Sequence, residues 1–425
     1  MDLARNQSEP SIVVQKFGGT SVGSIERIQA VAKRVLDTKK AGSQVVVVVS
    51  AMAGETNRLI ELAQKVSSQP STRDLDLVVA SGEQVSVGLL SMAINDLCRQ
   101  EKLDCHARPL LAYQLGIKTD GVFSKARIES IDTVGLQELL GEGAIPVIAG
   151  FQGVSQRNEI TTLGRGGTDT SAVAIAAALN ASECEIYTDV DGVYSTDPRL
   201  CADARKIEEI SFEEMMELAG LGAKVLQIRC VELAANYALQ IHVRSSFNQS
   251  PGTKVIPMNQ LKTSMEKLKL AGVASDQNQV KFTIKKIPNQ LDADATIFQA
   301  LAECHIVVDV IVKESPENDH FTLSFTASQE DARKARETLE SLQADRYPEI
   351  EIQEEKNLAK VSIVGVGMQH HPGVAAKAFR ILAEQEIPIR LVSTSEIKIS
   401  CMIPGECVKT AVQALHRGFN LHQSE

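Results

Sequence analysis

The chain has 425 residues, of which 44% are hydrophobic and 23% charged. At roughly 150 residues per domain, that length predicts two or three domains. A net charge of −10 argues against nucleic acid or an anionic membrane as the main partner, and 4% aromatic residues with no Trp leave few stacking platforms for bases. Apolar runs such as Ala172–Leu179 fall short of the roughly 18 residues of a membrane span. The first ten residues, with Asp2, Arg5 and Glu9, contain no secretory apolar segment. The eight cysteines form no C-x-x-C pair and the eight histidines are scattered. They are read as reduced thiols of a cytoplasmic protein, without a zinc site.

In chain order, Ile12–Val14 is a β-rich run broken by Phe17-Gly18-Gly19-Thr20-Ser21, and Ile25–Leu36 has helical spacing. Val45–Val49 is an uninterrupted valine run, as expected of a central parallel strand covered on both faces. Ile145–Ala149 and Cys184–Tyr187 repeat the pattern before Gly150 and Thr188-Asp189. Strand, glycine or polar loop, helix, strand predicts a three-layer α/β/α domain with a mostly parallel sheet. Such sheets bind ligands at the carboxyl ends of their strands, here the loops after Val14, Val49, Ala149 and Tyr187.

Pro251-Gly252, Pro257 and the polar stretch Asn259–Lys267 read as a linker. Beyond it, Phe298–Ile311 matches Phe379–Val392 in an internal repeat, and Val280 and Phe282 align with Val361 and Ile363. Each copy continues with an alternating strand (Phe321–Phe325; Ile397–Ile403) and a helical pattern (Asp331–Leu342; Glu406–His416). That predicts two successive ferredoxin-like βαββαβ modules, with domains at 1–262, 268–348 and 355–425. The Glu-rich stretch Glu349–Glu355 reads as a solvated connector, and Met215-Met216 as helix core. Cys184, Cys304 and Cys401 read as core thiols, and His370-His371 as a loop and not a metal pair.

Familiar nucleotide signatures are missing: no G-x-x-x-x-G-K-[ST], no H-R-D or D-F-G, and no complete G-x-G-x-x-G. Two elements carry chemistry instead. Lys16-Phe17-Gly18-Gly19-Thr20-Ser21 lies between a strand and a helix, where paired glycines let backbone amides approach a phosphate and Lys16 adds a point charge. Thr162–Asp169 is a second glycine-rich loop at a helix start. Arg165 there suits bidentate capture of a carboxylate, Thr168 or Asp169 can cap the helix, and Asn180 can close its C-terminus. Thr188–Arg199 follows a strand with hydroxyls, carboxylates and Tyr194. It suits a nucleotide's base and ribose, or simply makes turns.

These segments, together with Ser50–Asn57, Ser81-Gly82-Glu83 and Gly222–Leu226 in order, resemble the aspartokinases of the amino-acid-kinase family. Gly365–Met368, His371–Val374 and Ser393–Ile397 resemble the ACT regulatory domains of those enzymes. The resemblance implies an amino-acid-kinase fold followed by two ACT domains. It implies transfer of the ATP γ-phosphoryl group to the β-carboxylate of L-aspartate, with Mg²⁺, in a cytoplasmic enzyme that opens the route to lysine, threonine and methionine. Carried over by position, Lys16, Gly18, Gly19 and Thr20 would meet the phosphates. Ser50, Thr56, Glu83 and Arg165–Thr168 would hold aspartate, with Glu83 on its ammonium and Arg165 on its α-carboxylate. Asp169 would hold Lys16, while Thr188, Asp189, Tyr194, Arg199, Lys224 and Val225 would surround ATP. No protein ligand for the metal is implied.

An effector such as threonine or lysine would meet Asn289, Lys313, Val374, Ala375, Ile389, Ser395 and Glu396. The first ACT copy departs from the family pattern: it has Asn289-Gln290-Leu291-Asp292 for the usual Asp-x-Pro-Gly turn, and Lys313 for a common glutamine. Ala375 and Pro388 replace frequent polar side chains in the second. Paired ACT domains imply at least a homodimer. Another acidic amino-acid kinase of the same fold and a non-catalytic ACT-based amino-acid sensor are the alternatives.

Overall fold

The computed structural model describes residues 10–221, 225–261, 270–316, 319–366, 368, 371 and 373–423. It separates into two compact units. The first takes Met1–Val193, Lys206–Ala219 and Lys224–Lys262, and the second takes Tyr194–Arg205, Gly220–Ala223 and Thr263–Glu425.

The first unit begins with β1 (Ile12–Phe17), α1 (Ile25–Lys40) and β2 (Gln44–Val49). Next come α2 (Glu55–Val66), α3 (Thr72–Val79), α4 (Ser81–Gln100) and β3 (Ala107–Leu110). The short strands β4 (Lys118–Thr119) and β5 (Ile128–Ser130) precede α5 (Val134–Gly141), β6 (Ile145–Ala149) and the hairpin of β7 (Gln152–Val154) and β8 (Ile160–Thr162). The unit continues through α6 (Gly167–Ala178), β9 (Glu183–Thr188), β10 (Glu209–Ser211), α7 (Phe212–Gly220), α8 (Ile228–Asn236), β11 (Ile241–Ser245) and β12 (Thr253–Ile256). The main sheet has eight strands in the order β10-β12-β11-β9-β1-β2-β6-β3, all neighbours parallel except β11 and β12. Val45–Val49 are completely buried, as the valine run predicts. Ser24 caps α1 by accepting the amide of Arg27, and Ile28, Val31, Ala32, Val35 and Leu36 pack its inner face into the core.

Contrary to the expectation from apolar runs, Thr72–Gln100 is long and apolar enough to cross a bilayer by length and composition. Half of its most apolar 18 residues are buried inside the fold, with α4 packed on α1, β3 and β6. Its apolar residues therefore serve a core. Capping of α6 also differs from expectation. Neither Thr168 nor Asp169 caps it; both lie inside the helix, whose N-cap is Gly166 with φ 73°. Asn180 follows the C-cap Leu179 in the left-handed region.

The second unit contains β13 (Gly272–Pro288), α9 (Ala293–Glu303), β14 (Val308–Lys313), β15 (His320–Ser328) and α10 (Ala332–Asp345). It closes with β16 (Glu351–Val364), α11 (Val374–Glu384), β17 (Leu391–Thr394), β18 (Lys398–Pro404) and α12 (Val408–Gly418). These strands form one six-stranded sheet in the order β14-β15-β13-β16-β18-β17. The two repeats are interleaved and not successive. β13 spans 17 residues and β16 14, too long for one module. Gly272–Asp276 pairs with Lys360–Val364 and completes the second repeat, while Gln279–Pro288 pairs with β15 and opens the first. β16 likewise closes the first repeat and opens the second, with bulges between Asp276 and Lys281 at the crossover. Glu349–Glu355 is thus no solvated connector: from Glu351 it is strand, and the side chain of Glu354 is only 5% exposed, held by Arg336.

Tyr194–Arg205 belongs with this unit. Val273 donates its amide to Ser195 O at 2.7 Å, and Cys201 lies in the core with Val273 and Leu415. The buried His416 sets Nε2 2.9 Å from Ser195 Oγ and Nδ1 3.7 Å from Cys201 Sγ. The loop Thr188–Arg199 is therefore shared between units, parting after Val193.

Candidate active site

The carboxyl ends of β1, β2 and β6 bring three loops together. Lys16 sits near the end of β1, and its buried side chain reaches Asp169 Oδ1 at 2.6 Å. The pair is an ion contact lying off the direction of a well-formed hydrogen bond. Gly18-Gly19 leads from β1 toward α1. A Cβ on Gly19 would stand 2.9 Å from Ala51 O, so only glycine lets this loop lie against the loop after β2. Ala53 donates to Gly19 O at 3.2 Å and Ser50 to Phe17 O at 3.1 Å, tying the two loops. Ser21 Oγ meets Ser246 Oγ at 2.9 Å, and Arg27 donates to Ser246 O at 2.7 Å, fixing the far side.

Glu83 lies in the first turn of α4 and is 3% exposed. Its Oε1 accepts the amide of Ala51 at 3.0 Å, and its Oε2 is buried without a partner. Burial pushes its pKa up from 4.5 to about 7, against the pull of the backbone amides. The loop from β8 to α6 arrives opposite. Gly166 needs its positive φ, and a Cβ there would overlap Gln227 Cγ at 1.9 Å. Ser171 Oγ donates to Gly167 O at 2.9 Å and accepts the amide of Phe151 at 3.0 Å, locking the helix start to the loop after β6.

A cavity of about 350 Å³ opens among these loops. Lys16, Gly19, Ser50, Thr56, Glu83 and Arg165 through Asp169 all line it. Every sequence-predicted catalytic and aspartate-binding residue therefore faces one space. Arg165 is exposed there, with no ion-pair partner among the described residues. The nucleotide set is less united. Gly18 is adjacent, its amide donating to Tyr187 O at 3.2 Å, but Thr20, Thr188, Asp189 and Val225 do not line the cavity. Thr188 Oγ1 donates to Asp189 Oδ1 at 3.1 Å. Tyr194 and Arg199 fall in the second unit, where Arg199 makes a fork with Asp197, and Lys224 lies outside the described residues. A larger cavity, about 510 Å³, lies beside α6 and α8 with Lys125, Arg127 and Arg229 on its wall; none of the predicted residues line it.

The effector candidates all lie in the second unit. Asn289 donates its amide to Asp319 O at 2.8 Å, and Lys313 is engaged by Asp294 at 2.7 Å and by the Phe321 ring. Val374 is buried, Ala375 and Ile389 pack against the core, and Ser395 and Glu396 are exposed.

One supporting residue has no local signal. Asp76 on α3 is 1% exposed and accepts four hydrogen bonds: from the amides of Thr162 (2.7 Å) and Ser124 (2.8 Å) and from their hydroxyls (2.8 and 3.0 Å). It anchors β8 where the chain turns toward Arg165. Glu183, Glu185 and His242 bring potential metal-ligand atoms within 4.8 Å of one another. Glu185, however, is already held by Gln15 at 2.7 Å, Tyr187 at 3.1 Å and Arg244 at 2.6 Å, a satisfied polar network within the sheet.

Residues 11–245 match the amino acid kinase family, and residues 361–419 match an ACT domain. An aspartokinase of Geobacillus stearothermophilus is 47% identical over 411 residues, covering 96% of this chain and 97% of that protein. The aspartate kinase from Synechocystis superimposes with a TM-score of 0.81 at 32% identity, covering 97% of this chain and 99% of that one. Aspartokinase III of E. coli in complex with aspartate and ADP (R-state) gives 0.76 at 27% identity, covering 96% and 100%. The same enzyme with lysine and aspartate (T-state) gives 0.74 at 26%, covering 97% and 100%. The chain belongs to the amino acid kinase family, as one of its aspartokinases with a C-terminal ACT region.

Proposed function

We propose that the cavity at the tips of β1, β2 and β6 is where this aspartate kinase aligns the β-carboxylate of L-aspartate with the γ-phosphoryl group of ATP. One observation carries the reading: the Lys16–Asp169 pair, the unpartnered Glu83 Oε2 and the free Arg165 all border a single space. The reaction joins two anions, so the catalytic need is positive charge and alignment. The acceptor carboxylate is ionised at neutral pH and requires no general base. Arg165 grips the α-carboxylate in a fork, Glu83 Oε2 receives the ammonium, and Ser50 and Thr56 border the same end. Lys16 and the Gly19 amide face the transferred phosphoryl group, with Gly18 and Thr20 beside them as phosphate candidates, while Asp169 keeps the Lys16 ammonium aimed. Thr188, Asp189 and Val225 of the first unit form the nucleotide side, with Tyr194, Arg199 and Lys224 as further nucleotide candidates.

The cavity carboxylates are Asp169, engaged by Lys16, and Glu83, turned onto Ala51. That donor set fits Mg²⁺ carried by the nucleotide's own phosphates and water, where the ion neutralises phosphate charge. Free thiols at all eight cysteines suit the cytoplasm. The unpaired edges of β14 and β17, with Ile311, Val312 and Val392 exposed, suit homo-oligomerisation through the ACT sheet. Feedback control by lysine or threonine belongs to that sheet, with Asn289, Lys313, Val374, Ala375, Ile389, Ser395 and Glu396 as effector candidates.

An ADP-coupled assay with aspartate, glutamate and acetylglutamate, each in a threonine and lysine matrix, tests the assignment. Turnover with aspartate alone, lost in Arg165→Ala through a raised KM, is expected. An unchanged aspartate KM in that variant would remove Arg165 from the site.

A further inference from the structure

In the first unit, Cys98 and Cys105 bring their sulfurs to 3.3 Å. Cys98 is in the last turn of α4 and is 4% exposed, while Cys105, in the loop toward β3, is half-buried. The loop is clamped at both ends. Asn95 holds Ala107 through two hydrogen bonds, at 2.7 and 3.2 Å, and Leu103 donates its amide to Cys98 O at 2.9 Å. Lys102, at φ 55°, turns the chain between them. The sulfurs are thus held together by backbone geometry. Lys40, ion-paired with Glu101, stands within electrostatic reach of Cys105. Burial and the neighbouring sulfur push the Cys98 thiol up to about 12, leaving it a poor nucleophile toward anything but an adjacent disulfide.

We propose that Cys98 and Cys105 are a redox-active dithiol that closes to a disulfide by exchange with a low-molecular-weight disulfide of the glutathione type. Cys105, the accessible sulfur, attacks first. Its S–H bond is lost, a mixed disulfide forms on Cys105, and one glutathione leaves carrying the proton. Cys98 then attacks Cys105 Sγ, displacing the second glutathione, which takes up the Cys98 proton. In sum, two protein thiols are oxidised and one glutathione disulfide is reduced to two thiols.

The test equilibrates the full-length protein with mixtures of reduced and oxidised glutathione, quenches it with acid and maps cysteine peptides by mass spectrometry. The expected result is loss of two hydrogens and a single cross-link joining Cys98 to Cys105. Cys98→Ser, or Cys98→Ala if serine is not tolerated, should trap one glutathione on Cys105. Cys105→Ser should leave Cys98 at least tenfold slower to modify. A wild-type protein that keeps both thiols across the series, or links a different pair, overturns the proposal, and that mapping is decisive even if neither Cys98 variant folds.

Discussion

Glu83 Oε1 takes the amide of Ala51 at 3.0 Å, and Glu83 Oε2, equally buried, takes nothing. A buried carboxylate oxygen left open toward a cavity is costly unless a cation arrives to use it. With its pKa raised to about 7, Glu83 is half protonated near neutrality before substrate binds. Only the ionised form attracts an ammonium group. The aspartate KM should therefore climb as pH falls through 7, approaching about tenfold per unit on the acid side. Glu83→Gln should show a raised KM that no longer depends on pH in this range. Initial rates across that range decide the matter; a flat wild-type KM would detach Glu83 from the ammonium.

The same carboxyl shapes stability, with the opposite pH preference. Its folded pKa of about 7 lies above the ordinary 4.5, so the folded state holds this proton more tightly than the unfolded state. The contribution is fully present below about 4.5 and disappears as pH rises through 7, a change of about 3 kcal/mol. Glu83→Gln keeps a neutral side chain at every pH. Relative to wild type, it should gain stability between pH 4.5 and 8. Urea unfolding at both ends measures the difference; a constant gap between the two proteins contradicts the assignment.

Lys16→Ala should lower kcat at least a hundredfold while the fold persists, since the lost contact strengthens as charge moves onto the phosphoryl oxygens, an effect of about 3 kcal/mol or more. Asp169→Asn should also be slow, because the ammonium of Lys16 loses the carboxylate that aims it. The double variant should be little worse than Lys16→Ala, as residues acting as one unit are not additive. Steady-state kinetics of the three proteins, with circular dichroism as the folding control, test this. Two multiplicative losses would mean that Asp169 acts independently of Lys16.

Much of this site is legible in the sequence because its parts are local. Val45–Val49 announces a strand covered on both faces, and Lys16–Ser21 and Thr162–Asp169 each compress strand end, glycine turn and helix start into a few residues. What escapes reading is long-range. Interleaving of the repeats depends on strand length beyond one module, and the 81-residue offset of Phe298 from Phe379 is unaffected by which strand completes which half. Glu354 looks as solvated as its neighbours until Arg336 is brought over it from α10. Parting of Thr188–Arg199 after Val193 rests on Ser195 meeting Val273 and His416, residues far along the chain. Asp76 sits among ordinary polar helix residues, and no spacing distinguishes it.

Asp76 is nevertheless where the aspartate side of the cavity is most exposed to a distant substitution. Asp76→Ala would leave the buried amide of Thr162 without an acceptor, at about 1–3 kcal/mol, and the half-buried amide of Ser124 at a smaller cost. Asp76→Asn should be milder, because its carbonyl oxygen can keep both amides, which now share Oδ2, while its NH₂ donates to the two hydroxyls, which can turn to accept. Thr162 is the last residue of β8, and Arg165 follows three positions later, so a loosened β8 lets the guanidinium drift. Asp76→Ala should unfold at lower urea concentration and show a raised aspartate KM at a temperature where it remains folded, and Asp76→Asn should shift both less. ATP KM should change less, since Lys16 and Gly18-Gly19 hang from β1 and not from this hairpin. Equal loss of affinity for both substrates would show that Asp76 supports the whole unit and not this loop.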